Sequence, residues 1–224
     1  MGQVTSLLHR DLYVMSQVDR LLDLGVGTAR RWIDGYERRG RRYEPLVRES
    51  ATGSDVVTWG EFVETRLIAE YRSRGVAVVR MRPAIMALRR EFNTDHPLAT
   101  ARPFLSEDGK DLVLRIQDET VLKPSLRFVL RTSQNVMLSM EVQRFQQDAE
   151  YEDDEVRRFG MFGTANVVLD PEYGFGEPTI RHRRLRVSAI VEAMAAGEAR
   201  DDIKATWDID DDILNDALRC SRVA

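Results

Sequence analysis

Cysteine, histidine and lysine are scarce in this 224-residue chain, and each scarcity excludes something. Cys220 is the only cysteine, so no internal disulfide and no cysteine cluster for zinc can form, and a buried, inert thiol is the expectation. His9, His96 and His182 lie far apart, and no Gly-x-Ser-x-Gly, phosphate loop or His-Glu-x-x-His occurs. Catalysis is therefore not expected, and neither a cofactor nor a metal is called for. No stretch approaches the about 18 apolar residues of a membrane span, and the first residues lack a charged start followed by an apolar signal core. No membrane partner and a cytoplasmic location are the expectations. Lysine occurs only at Lys110, Lys123 and Lys204, which leaves arginine to supply nearly all positive charge.

What is present is an ordinary globular composition with an uneven charge. The formal net charge of −4 divides into +4 over residues 1–103 and −8 over residues 104–224. A basic N-terminal half suits contact with nucleic acid, and an acidic C-terminal half suits a basic partner. The densest acidic run, EYEDDE at Glu150–Glu155, reads as a solvated loop rather than a metal site, because carboxylates consecutive in sequence point in different directions.

The segment Tyr13–Tyr36, YVMSQVDRLLDLGVGTARRWIDGY, has helix-turn-helix spacing. Ser16 suits the N-cap of a first helix with Val18, Leu21 and Leu22 inward, and Gly25–Thr28 breaks the chain. The second helix would turn Ala29, Trp32 and Ile33 inward and present Thr28, Arg30 and Arg31 near its N-terminus, where this motif enters the major groove. RRGRR then supplies Arg38, Arg39, Arg41 and Arg42 for phosphates. Ser16 and Gln17, at the start of the first helix, join the candidate DNA contacts.

Further along, Thr58-Trp-Gly-Glu61 is a capping box that starts a helix from about Trp59 to Arg74, carrying Phe62, Leu67, Ile68 and Tyr71. Pro83 opens another helix with Ile85, Leu88 and Phe92, which ends before Asn93-Thr-Asp-His-Pro97. The first hundred residues thus read as all-helical. Leu112, Leu114 and Ile116 alternate around a turn signal at Asp108-Gly109, which predicts a small central strand pair, and SQNVMLSMEVQRFQQ reads as a helix. In that helix Val136, Met140 and Phe145 would point inward, with Met137 and Met140 as core filler. From Val167 to Val187 the chain reads as strands punctuated by Pro171, Gly174, Gly176 and Pro178. Three helices follow, VSAIVEAMAAG, DDIKATW and DDDILNDALR, the last with acids at its N-terminus. The expected fold is α+β, mainly α. Residues 1–100 would form a helical DNA-binding domain with its helix-turn-helix at about 13–36, 101–160 a small sheet plus helix, and 161–224 a three-helix domain.

The tail from Asp170 to Arg219 resembles the short C-terminal domain of Vap-type (VapB) antitoxins, in which an extended Gly-x-Pro-x-Ile stretch precedes three helices. The resemblance is carried by Asp170, Pro171, Phe175, Gly176, Pro178, Ile180, Arg184, Val187, Ile190, Gly197, Ile203, Ile213 and Ala217. Tyr13–Tyr36 and the helices after it are similar to the longer members of that group, which carry a MerR-like helix-turn-helix. The chain departs from them where Gly25 and Gly27 replace a serine cap and where RHRRLR is unusually basic. The resemblance implies an antitoxin that neutralises a cognate PIN-domain ribonuclease toxin, binds its operator DNA to autoregulate transcription, and forms a homodimer. Arg181, Arg183, Arg184 and Arg186 would then contact the toxin's acidic site or nucleic acid. The alternatives are a stand-alone helix-turn-helix regulator whose C-terminal part dimerises or senses a ligand, and an RNA-binding module using RHRRLR, which lacks aromatic platforms for stacking.

Overall fold

The chain enters its first helix directly from a strand. In the computed structural model, which describes residues 6–73, 75, 77–132, 135–161 and 163–221, β1 (Asp11–Val14) runs into α1 (Met15–Leu21), and α2 (Thr28–Ile33) follows. β2 (Tyr36–Arg38) and β3 (Arg41–Tyr43) form a hairpin, and β4 (Val56–Thr58) returns antiparallel to β1. Next come α3 (Trp59–Arg72), α4 (Arg82–Phe92), α5 (Arg102–Leu105), α6 (Glu107–Glu119), β5 (Val129–Arg131), β6 (Val136–Leu138) and α7 (Met140–Asp148). β7 (Ala149–Glu152), β8 (Glu155–Gly160), β9 (Val167–Leu169) and β10 (Pro178–Ile180) precede α8 (Val187–Ala195), α9 (Arg200–Trp207) and α10 (Asp211–Ser221). The class is α+β and mainly helical, as the sequence implies. None of the described helices is long and apolar enough to cross a membrane. The chain divides into two units, residues 1–147 with 151–156, and residues 148–150 with 157–224.

The first unit is organised around α3. Thr58 and Glu61 form the predicted capping box: Glu61 N–H donates to the Thr58 hydroxyl at 3.2 Å, and Thr58 N–H donates to the Glu61 carboxylate at 2.9 Å. Trp59, Phe62, Leu67, Ile68 and Tyr71 are fully buried. Trp59 stacks on Phe62 at 5.4 Å and donates its indole N–H to Val156 O at 2.7 Å, so the ring is packed and its one donor satisfied. The predicted helix end at Arg74 lies outside the described residues. At α4 Pro83 sits in the first turn, and Ala84, Ile85 and Leu88 are buried.

A helix close-packed on all sides must also bury its polar positions. Glu61 receives Arg48 Nε at 2.6 Å, and the same guanidinium reaches Asp34 at 2.8 Å, Thr52 Oγ1 at 2.7 Å and Val56 O at 2.6 Å. Glu64, one turn on, receives Leu98 N–H at 3.2 Å and lies 3.5 Å from Arg89 and 3.4 Å from His96 Nδ1. Gly60 is required beside this cluster, because a Cβ there would collide with the His96 ring.

Four expectations are overturned here. The strand pair at Leu112–Ile116 is helix α6: Ser106 caps it by accepting Gly109 N–H at 3.1 Å, Glu107 and Asp108 favour its positive end, and Gly109, Val113, Ile116 and Gln117 form its buried stripe. Alternation at 112, 114 and 116 is compatible with either period once Val113 is also apolar, and Gly109 marks close approach to Arg102 O rather than a turn. The small sheet instead pairs β5 with β6, so Val136–Leu138 is strand and the helix begins only at Met140; Ser133 and Gln134 lie outside the described residues. Buried Gln117 anchors this sheet, accepting Phe128 N–H at 2.6 Å and donating to Val129 O at 2.9 Å. Met137 and Met140 are 44% and 51% exposed rather than core filler, while Phe145 is buried as expected. Finally, the first hundred residues are not all-helical, since β1–β4 and β2–β3 pair within them.

The second unit packs β8, β9 and β10 with three helices. Thr179 pairs with Val168 and Phe159 with Leu169. Val167, Ile180, Val187, Ile190, Ile203, Leu214 and Ala217 form its core, with Val191 and Met194 against it. The three predicted helices are present, with Asp211 and Asp212 in the first turn of α10. Cys220 is buried, and burial together with nearby Asp216 pushes its thiol up to about 11, which keeps it protonated at neutral pH.

Arg48 and its two carboxylates give a stability prediction. Burial alone would raise the Asp34 pKa, but donors from Thr52 N–H, Arg48, the Thr52 hydroxyl and Gly53 N–H hold it below the ordinary 3.8. A depressed folded-state pKa means the contribution is complete above the unfolded value and is lost as pH falls below it. Arg48→Ala is expected to cost about 3–5 kcal/mol at pH 7, because it strands two buried carboxylates. Urea titrations should show that deficit shrinking below about pH 4, as the wild-type Asp34 carboxylate itself becomes protonated.

Candidate nucleic-acid interface

The helix pair is built on a buried carboxylate. Asp19 in α1 accepts Gly27 N–H at 2.6 Å and Ala29 N–H at 2.7 Å, so it caps α2 from the preceding helix. Gly27, at φ 74°, takes the left-handed conformation that brings the chain into the helix. The absence of a serine at Gly25 or Gly27 is thereby explained: the capping oxygen comes from eight residues upstream. Ala29 and Ile33 are fully buried, which lets α1 and α2 approach, while Trp32 is only half-buried and gives its carbonyl to Leu46 N–H and Val47 N–H.

The start of α1 differs from expectation. Val14, not Ser16, is the N-cap, and its N–H donates to Gln17 Oε1 at 2.9 Å. Ser16 is an exposed residue inside the helix, and Gln17 is engaged in capping its own helix. Sequence reasoning chose serine on propensity; the strand running straight into the helix set the cap two residues earlier.

Thr28, Arg30 and Arg31 lie on the first turns of α2, and the two arginines are exposed. Arg31 donates to Thr28 Oγ1 at 2.8 Å, and Arg30 pairs with exposed Asp55. Each of these contacts is surface-exposed and exchangeable for a phosphate at small cost. RRGRR is the tip and flanks of the β2–β3 hairpin: Arg39 and Gly40 take φ 53° and 71° in the turn, and Tyr36 stacks on Tyr43 at 4.5 Å at its base. Arg41 lies over Tyr43 at 5.3 Å and Arg42 is 3.6 Å from Glu44, whereas Arg38 and Arg39 form no ion pair among the described residues. Thus α2 and the hairpin that follows it present six exposed arginines in 13 residues of chain.

The tail arginines fall on the second unit and are engaged differently. Arg181 pairs with Glu150 and donates to Ala165 O at 3.2 Å; Arg183 donates to Trp207 O at 2.9 Å. Arg184 lies 5.5 Å over the Tyr173 ring, and Arg186 is 3.7 Å from Glu177. RHRRLR is therefore not one uniform basic surface. Arg181 works mainly inside the unit, and Arg183 and Arg184 line a hollow with Arg158, a residue that carried no signal in the sequence. Arg157 likewise escaped notice; it holds Asp170 at 2.6 Å and Glu172 at 2.5 Å.

Compared with known proteins, the chain is 37% identical over 222 residues to "Uncharacterized protein Rv2308" of Mycobacterium tuberculosis (strain ATCC 25618 / H37Rv), spanning 96% of this chain and 92% of that protein. The chain belongs to the Rv2308 family. A second relative in the same organism, named "Putative antitoxin VapB45", is 27% identical over 226 residues, 92% of each chain. Residues 167–219 of the Rv2308-family chain match the family model described as "Protein of unknown function (DUF433)", which places that domain on β9, β10 and the three C-terminal helices. The crystal structure of Rv2018 from Mycobacterium tuberculosis shares the fold, with a TM-score of 0.74 and 24% identity, over 93% of this chain and 97% of that one. The likeness to antitoxins inferred from the tail thus has support in a full-length relative bearing that name.

The cap of α2 yields a test within this family member. Asp19→Ala removes the acceptor for two N–H groups at a helix start and is expected to cost about 1–2 kcal/mol. Thermal unfolding would register it, and Asp19→Asn, which keeps one acceptor oxygen, should recover part of the loss.

Proposed function

We propose that this Rv2308-family chain is an antitoxin that neutralises a cognate ribonuclease toxin of the PIN-domain class and represses its own operon as a homodimer on operator DNA. The observation that carries the reading is the similarity, over 92% of both chains, to a relative named as an antitoxin. The first unit supports the DNA-binding half: α1 and α2 act as a helix-turn-helix, Arg30 and Arg31 face the major groove, and the β2–β3 hairpin lays Arg38, Arg39, Arg41 and Arg42 along the flanking phosphates. A two-fold dimer would read half-sites about one helical turn apart. The toxin-binding half falls to the second unit, whose Arg183, Arg184 and Arg186 are exposed cations suited to an acidic catalytic site.

Two measurements test this. Co-expression with the neighbouring open reading frame, followed by size exclusion and a ribonuclease assay, should give a stable complex with suppressed nuclease activity; separate elution would overturn the antitoxin reading. For DNA, Arg38→Ala with Arg39→Ala should weaken operator and non-operator binding alike and reduce the slope of log K against log salt by about 2. Arg30→Ala with Arg31→Ala should instead lower operator preference, and unchanged preference would remove these residues from the interface.

A further inference from the structure

The second unit holds a hollow of about 320 Å³, walled on one side by β9 and β10 and on the other by the turn that carries RHRRLR. Arg158, Arg183, Arg184 and His182 line it, beside Asp170 and Tyr173. The ion pairing around it is lopsided. Asp170 is the sole carboxylate of the lining among the described residues and is already held at 2.6 Å by Arg157, which lies outside the hollow, and by Glu172 N–H at 2.9 Å. Arg158 Nε is buried and makes no hydrogen bond among the described residues, with Glu150 and Asp170 each 3.5 Å away. Arg184 has the face of Tyr173 for company and no carboxylate within ion-pair distance among the described residues. Arg183 reaches only Trp207 O and, at 3.6 Å, the 99% exposed Asp208.

Three guanidinium groups therefore line a hollow whose one lining carboxylate is itself engaged, while Glu150 beside Arg158 and Asp208 beside Arg183 lie outside that lining. A buried N–H left without a hydrogen-bond partner is unfavourable, a deficit that an anion beside Arg158 would relieve. Planar guanidinium forks converging from different chain segments match the several oxygens of a phosphate better than the two of a carboxylate. Arg158 comes from β8, Arg183 and Arg184 from the turn after β10, so the donors approach from separate directions.

We propose that this hollow is a binding site for a phosphate group, free or as the monoester of a small molecule such as a nucleotide. It requires no partner protein and stands independently of toxin neutralisation. The full chain is titrated by calorimetry with inorganic phosphate and with AMP at constant ionic strength, alongside thermal unfolding in chloride. Saturable binding of either is the expected result; equal affinities identify the free ion as the ligand, and tighter binding of AMP identifies a phosphate ester. Arg184→Ala should weaken binding about tenfold while leaving the unfolding temperature in chloride unchanged. Arg184→Gln serves the same comparison if the alanine variant fails to fold. Absence of binding to both probes at millimolar concentration, or undiminished binding by the folded variant, overturns the proposal.

Discussion

Arg48 holds the first unit together at the point where its helix pair meets its central helix. Its guanidinium touches Asp34 at the end of α2, Glu61 in the first turn of α3, and the loop between them through Thr52, Ser54 O and Val56 O. Its side chain is only 9% exposed and those of Asp34 and Glu61 are 7% and 10%, so the three charges can be buried only together. The geometry of α1 and α2 against α3 thus rests on a charge constraint as much as on apolar packing. Any function of Arg30, Arg31 and the hairpin inherits that constraint, because the same loop sets where they stand.

Arginine elsewhere repeats the pattern. Arg82 donates to the carbonyls of Pro45, Arg48 and Glu49, and Arg89 to that of Val47 while it faces Glu64. The long irregular segment between β3 and β4 is thereby satisfied by side chains where no ladder is available. A guanidinium carries five donors in a fixed fork, which an ammonium cannot match. The scarcity of lysine, which leaves arginine to supply nearly all the positive charge, is consistent with arginines spent on internal carbonyls. Arginines in this chain therefore fall into two populations: those that bridge buried acceptors, such as Arg48, Arg82, Arg89 and Arg157, and those that stand in solvent, such as Arg38 and Arg39.

The second unit uses carboxylates in the converse way. Asp216 of α10 accepts the N–H groups of Ala165 and Asn166 and the Asn166 amide, fixing the approach to β9, and Asp170 gathers Arg157 and Glu172 N–H where β9 ends. In the turn that follows, Gly174, Phe175 and Gly176 all take positive φ, and a Cβ on Gly174 would strike Thr179. Asp170, Phe175 and Gly176, three of the residues that carried the resemblance to antitoxin tails, are the ones that set this turn.

The sequence by itself determined the elements whose signals are local. The Thr58–Glu61 capping box, Pro83 at a helix start, Gly197 after α8 and the acid-led α10 all depend on residues within one turn of each other, and each stands where it was expected. The mainly helical α+β class followed from their sum, and so did the exposed arginines of α2 and the hairpin. The tertiary structure decided what depended on distant partners. Asp19 caps a helix eight residues away, Gln117 anchors a sheet that displaced the predicted one, and Arg158 lines one hollow with Arg184. A period of two and a period of 3.6 cannot be told apart over five residues of which four are apolar, so Leu112–Ile116 became helix or strand only through what it packed against. Whether an arginine is a bridge or a surface charge is likewise set by the acceptors that folding brings to it, and no spacing in the sequence records them.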